Sequence, residues 1–65
     1  MTEALTEEQV LWGAAAMMLK QHGDKAPQRV AERIGALALE NDAAGMALWK
    51  EIARRLNEMI RTPQQ

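Results

Sequence analysis

The stretch Val10-Leu11-Trp12-Gly13-Ala14-Ala15-Ala16-Met17-Met18-Leu19 carries no charge over ten residues. Such a run serves as a membrane span, a secretion signal, a buried core or a sticky surface, so its reading decides the fold. A spanning helix needs about 20 apolar residues, and this run is too short. A signal peptide opens with basic residues, but the residues ahead of this run include Glu3, Glu7 and Glu8 and no Lys or Arg. The run therefore reads as one helix of a protein expected in the cytoplasm, with no membrane partner.

The residues on either side punctuate that helix. Thr6-Glu7-Glu8-Gln9 matches a capping box, in which Thr6 accepts from the Gln9 amide and Gln9 reaches back. Glu7 and Glu8 suit the positive end of the helix dipole. Gly23 is the expected left-handed cap, which gives a first helix over 7–22. Asp24 then opens a second helix over 25–40, with Pro27 in its first turn, where a missing amide costs nothing. Asn41 tolerates the left-handed conformation and Asp42 is a good N-cap, so a third helix is expected over 43–61, closed by Pro63. Residues 1–5 and 62–65 are expected to fray.

With 65 residues the chain is one helical domain spanning 1–65. A domain this small buries only about 60% of the surface its unfolded chain exposes. It has no cysteine to staple it, and Tyr and Phe are absent. Ala, Leu, Met, Glu, Lys, Arg and Gln dominate, which favours helix. The fold class is therefore all-α: a small three-helix bundle with short connections, which can also associate as a homodimer.

Helical periodicity then predicts the core. In the third helix Met46, Trp49, Ile52, Ala53, Leu56, Met59 and Ile60 share a face. In the second, Ala26, Val30, Ile34, Leu37 and Ala38 do so, with Ala31, Gly35 and Leu39 extending the apolar surface round one side. In the first, Val10, Ala14 and Met17 make the expected stripe, flanked by Leu11 and Met18. Trp12, Ala15 and Leu19 then lie on the back. Trp12 and Leu19 are in surplus, so with Met18 and Leu39 they form the expected protein interface. Gly13 and Gly35 read either as tolerated weak points or as sites of close helix approach, the latter with Ala31 one turn from Gly35.

The chemistry-bearing residues are few. There is no Ser, Cys or Tyr to act as a nucleophile. Thr2, Thr6 and Thr62 are terminal or capping. The early glutamates are explained by the helix dipole, and no glycine-rich phosphate loop is present. A lone histidine, His22, builds no zinc site, and its place near a helix end suits a capping cation. No catalytic residue, cofactor or metal is therefore expected.

Two basic stripes remain. Lys25, Arg29 and Arg33 recur along the second helix, and Lys50, Arg54 and Arg61 lie on one edge of the third. They read first as solvated faces laced with pairs such as Glu51–Arg55 and Arg54–Glu58. The alternative is a phosphate-contacting surface of Lys50, Arg54, Arg61, Arg29 and Arg33. Against it, the would-be recognition helix opens with Ala43, Ala44, Gly45, Met46 and Ala47, which offer almost no base-edge donors. The net charge of -1 adds no general attraction to nucleic acid.

The segment His22-Gly23-Asp24-Lys25-Ala26-Pro27 is followed by Ala31-Glu32-Arg33-Ile34-Gly35-Ala36-Leu37-Ala38-Leu39. Asp42, Gly45 and Trp49 with Ile52-Ala53 come next. Together these resemble a family of short alphaproteobacterial proteins whose domain has no known function. The likeness runs from about Trp12 to Leu56. It implies a small stand-alone cytoplasmic protein and brings no activity or site residues with it. The function expected from the residues is a small non-enzymatic protein–protein interaction or regulatory module. The alternatives are a nucleic-acid-binding module and, from size alone, a small phage- or defence-related inhibitor.

Overall fold

The structure, a computed structural model, describes residues 6–61. The expected frayed ends and the Pro63 stop lie outside the described residues. Within them the chain is all-α, with helix and no strand. Helix α1 spans Glu7–His22, α2 spans Ala26–Leu39 and α3 spans Ala43–Arg61.

Local chemistry sets each boundary. The capping box at the start of α1 closes in both directions: Gln9 N–H donates to Thr6 Oγ1 at 3.1 Å, and Thr6 N–H donates to Gln9 Oε1 at 2.9 Å. At the other end Gly23 has φ 58° and ψ -131°. The φ is positive as expected of a cap, but the ψ lies outside the left-handed helical basin, in a region only glycine enters freely. The chain does not break there. Gly23–Lys25 forms one 3-10 turn, and helical backbone continues from Glu7 to Leu39 with a bend. Asp24, expected to open the second helix, lies inside that turn; α2 starts at Ala26 and no side chain caps it.

The α2–α3 corner is made by two residues. Asn41 sits at φ 60°, the Asn41 N–H donates to Ala38 O at 3.1 Å and the Asp42 N–H to Leu37 O at 3.0 Å. This is a Schellman ending with asparagine in the left-handed position. Asp42 then turns to the next helix, where its Oδ1 accepts from the Gly45 N–H at 2.9 Å.

The core is small. Leu11 and Ala15 from α1, Ala26 and Val30 from α2, and Ile52 and Leu56 from α3 are buried together. Ala14, Met18, Leu19, Ile34, Trp49, Ala53 and Met59 lean on them. Leu37 is buried apart from this cluster, beneath Gly45, where an added Cβ would stand 3.1 Å from its Cδ2. The molecule measures 37 × 33 × 17 Å. At 8–10 Å between packed helix axes it is no more than about two helices deep.

The buried face of α1 differs from the expected one. Leu11, Ala15 and Met18 turn inward, each one residue after the expected Val10, Ala14 and Met17; Val10 and Met17 turn out, while Ala14 still leans on the core. One residue is about 100° of rotation. An uncharged run has no polar face to fix its phase, so the phase is set by its neighbours, above all by Glu8. Close approach at Gly35 and Gly13 is also absent, since a Cβ on either meets nothing within 4 Å. The glycine that does sit in a tight place is Gly45, where an added Cβ would stand 2.6 Å from Asp42 Oδ2.

Candidate functional site

The surface of α1 is where the apolar surplus lies, and the residues that carry it are not those expected. Leu19 and Met18 lean on the core, and Trp12 is half-buried with its Nε1–H donating to Glu8 Oε2 at 2.9 Å. These three are therefore partly covered within the chain. Val10 and Met17 stand open instead, at 49% and 59% exposure. Leu39 is 88% exposed, in keeping with its expected place on the surface. Two further apolar side chains are about half exposed: Leu48, which the periodicity does not single out, and Ile60, expected on the core face of α3, which falls in its last turn, beyond the buried Leu56.

Shallow grooves run beside α1. One, of about 390 Å³, is lined by Ala16, Leu19, Lys20 and Met59. Another, of about 320 Å³, is lined by Glu7 and Leu11 of α1 and by Ala44, Ala47, Leu48 and Glu51 of α3. The signal that could have located the open face is the position of Glu8. A charge that must reach across to α3 fixes which side of the apolar run turns inward.

That charge belongs to a three-residue cluster joining α1 to α3. Arg55, with a side chain only 15% exposed, holds Glu8 through Nη2–Oε1 at 2.7 Å and Nε–Oε2 at 3.2 Å. Its Nη1 reaches Glu51 Oε1 at 2.7 Å and the Glu51 carbonyl at 3.0 Å. Such a two-pronged guanidinium–carboxylate pair fixes orientation as well as charge. Hydrogen bonds from Arg55 hold both the Glu8 and the Glu51 carboxyl below the usual range, and the two carboxylates raise Arg55 in return. Both acids stay ionised near neutral pH, and the cluster acts as a clamp.

A carboxyl whose pKa is depressed on folding stabilises the fold above its ordinary value, here 4.5, and loses that contribution as pH falls through the lower folded value. Acidification into that window should therefore lower the thermal midpoint of the natural protein more than that of a Glu8→Gln, Glu51→Gln variant. Equal losses in the two proteins, measured by circular dichroism, would show that the clamp does not couple folding to pH.

The basic residues are spread over separate surfaces. Arg29 pairs with Glu32 at 3.1 Å and Arg54 with Glu51 at 3.3 Å, so Arg54 turns to Glu51 and not to the expected Glu58. Arg33 lies 5.9 Å from the centre of the Trp49 ring, within cation–π range. Lys50 and Arg61 are exposed on the outer side of α3. Among the described residues, no group of three or more His, Cys, Asp or Glu gathers as a metal site would, and no helix is long and apolar enough to cross a membrane.

No curated protein and no solved structure matches the chain. One family model does, over residues 7–64, and its description is a family of unknown function. That span takes in all of α1, α2 and α3, so the chain belongs to this family, DUF6961.

Proposed function

We propose that this protein is a small non-enzymatic interaction module, a three-helix bundle that works by binding protein. The observation that carries this reading is the open apolar face of α1. Isolated exposed hydrophobics are common on any surface. Val10 and Met17, by contrast, fall on one side of one helix, two turns apart, with the exposed Gly13 between them on that side. Leu39, Leu48 and Ile60 add apolar side chains on the other helices. A domain with so small a core gains from covering such a face. The expected setting, the cytoplasm of a bacterium and by resemblance an alphaproteobacterium, is part of this proposal, as is a regulatory role.

The basic surface supports the nucleic-acid reading less well, because Arg29 and Arg54 are already paired with glutamates and Arg33 lies over Trp49. The inhibitor reading has no residue of its own to support it.

Affinity capture with the tagged chain tests the proposal. Met17→Glu and Leu39→Glu change exposed positions and should leave stability within about 0.5 kcal/mol. The natural chain should retain a protein partner, its own copy or another, and Met17→Glu should lose it at an unchanged thermal midpoint. Identical capture by the natural chain and both variants, or capture of nothing by any of them, would overturn the reading. So would a shift in DNA mobility at low salt that disappears as salt rises.

A further inference from the structure

The two corners of the chain are held in different ways. At the α2–α3 corner a Schellman ending and the Asp42 carboxylate on the Gly45 N–H fix the turn. At the α1–α2 corner no side chain caps either the 3-10 turn or α2. The backbone hydrogen bonds run on instead: Gly23 N–H donates to Leu19 O, and Ala26 N–H donates to Gly23 O. Between Glu7 and Leu39 the one residue with a positive φ is Gly23, at 58°. The reversal of the chain rests chiefly on the torsions of that residue.

α1 runs beside α3 in the same sense: Leu11 shares a groove with Leu48, and Leu19 shares one with Met59. α2 runs the opposite way, with Val30 beside Leu56 and Leu37 beneath Gly45. Were 7–39 one straight helix, α1 would point away from its own α3. Its inner face, Leu11 and Ala15, would then fit the α2–α3 pair of a second copy. There every contact of α1 is formed between chains, the Glu8–Arg55 pair included. Short, strained hinges invite such an exchange.

Pro27 stands four residues after Gly23. In the bent chain it lies in the first turn of α2, where its missing N–H is not needed. In a straight helix its partner would be the Gly23 carbonyl. Proline has no N–H to bond that oxygen, and its ring would strike it. Glycine, lacking a Cβ, enters the positive-φ bend freely. We infer that Gly23 and Pro27 form a stop against helix exchange. Glycine opens the bend and proline closes off the straight alternative, so that α1 folds back onto its own α3. The stop concerns the inner side of α1 and holds whether or not its outer side binds protein.

Gly23→Ala, Pro27→Ala and their combination separate the two roles. A Cβ on Gly23 meets nothing within 4 Å, so alanine there acts through the backbone alone. Gly23→Ala should keep the assembly state of the natural chain, because proline still bars the straight form. Its thermal midpoint should fall by about 5 °C or more. Pro27→Ala should stay bent, with a midpoint near that of the natural chain. The double variant, refolded at high concentration, should double in mass relative to the natural chain.

Spin labels on Glu7→Cys and Leu39→Cys read the shape, since the chain has no cysteine of its own. In the natural background they should lie within the 37 Å length of the molecule. In the double variant, diluted into unlabelled protein, they should lie about 50 Å apart, the length of a straight helix over 7–39. A double variant that is a folded species of natural mass, or one of doubled mass whose labels stay close, would overturn the stop. So would a double variant that does not fold, because the exchanged form reuses every contact of α1. Labels already that far apart in the natural background would overturn it as well.

Discussion

Leu56→Ala should remove about half of the stability of this domain. Leu56 is 1% exposed, the largest fully buried side chain, and it sits in the cluster where α1, α2 and α3 meet. Truncating a buried leucine to alanine costs about 2–5 kcal/mol, from lost transfer energy and from the cavity left behind. At ~0.05–0.15 kcal/mol per residue, a domain of this size has about 3–10 kcal/mol in all. With so few buried side chains, no other part of the core compensates. Met17→Ala supplies the contrast: at 59% exposure it should change the stability of the monomer by less than about 0.5 kcal/mol. Urea unfolding followed by tryptophan fluorescence reports both, since Trp49 leans on the same cluster. Equal midpoints for Leu56→Ala and the natural protein would mean that the core lies elsewhere.

The second large effect is a reversal of sign between two glycines. In an exposed helix interior Gly→Ala stabilises by up to about 1 kcal/mol. Gly35→Ala should do so, because nothing lies within 4 Å of the new methyl. Gly45→Ala should do the opposite. Its methyl would stand 2.6 Å from Asp42 Oδ2 and 2.9 Å from Asp42 Cγ. That carboxylate is the cap of α3, held by the Gly45 N–H at 2.9 Å. The methyl therefore displaces the cap, and losing an aspartate cap costs about 0.5–2 kcal/mol. It also presses on Leu37 Cδ2 at 3.1 Å, and crowding of a packed site adds to that cost. The net expectation is a loss of about 1–2 kcal/mol. Thermal melts that show both variants more stable than the natural protein would mean that the α2–α3 corner is looser than these distances imply.

The corners were legible in the sequence because each is built by adjacent residues. Thr6 and Gln9 close their box, Asn41 takes the positive φ, and Asp42 caps the next helix. Local hydrogen bonds of this kind need no knowledge of the rest of the fold. The bend at Gly23 was legible only in part: glycine signalled a positive φ, but whether the helix stops or bends depends on how α1 and α2 rest on α3. The faces of α2 and α3 were largely readable, because charges recur on their outer sides and leave Val30, Leu37, Ile52 and Leu56 to turn in.

The face of α1 was not readable. Within Val10–Leu19 every direction is apolar, so periodicity gives no phase, and the partner that fixes it, Arg55, lies 47 residues away. The same lack of phase shifted the candidate interface. Trp12 and Leu19 looked surplus only while Val10 and Met17 were placed inside. Once Glu8 reaches Arg55, the indole follows Glu8, and Val10 and Met17 are left in solvent.

The claim that this open face is an interface is tested most directly by affinity capture with the tagged natural chain and Met17→Glu side by side. The natural chain should retain a protein partner, its own copy or another, and Met17→Glu should lose it at an unchanged thermal midpoint. Equal capture by both proteins, or capture of nothing by either, would contradict an interface at this face.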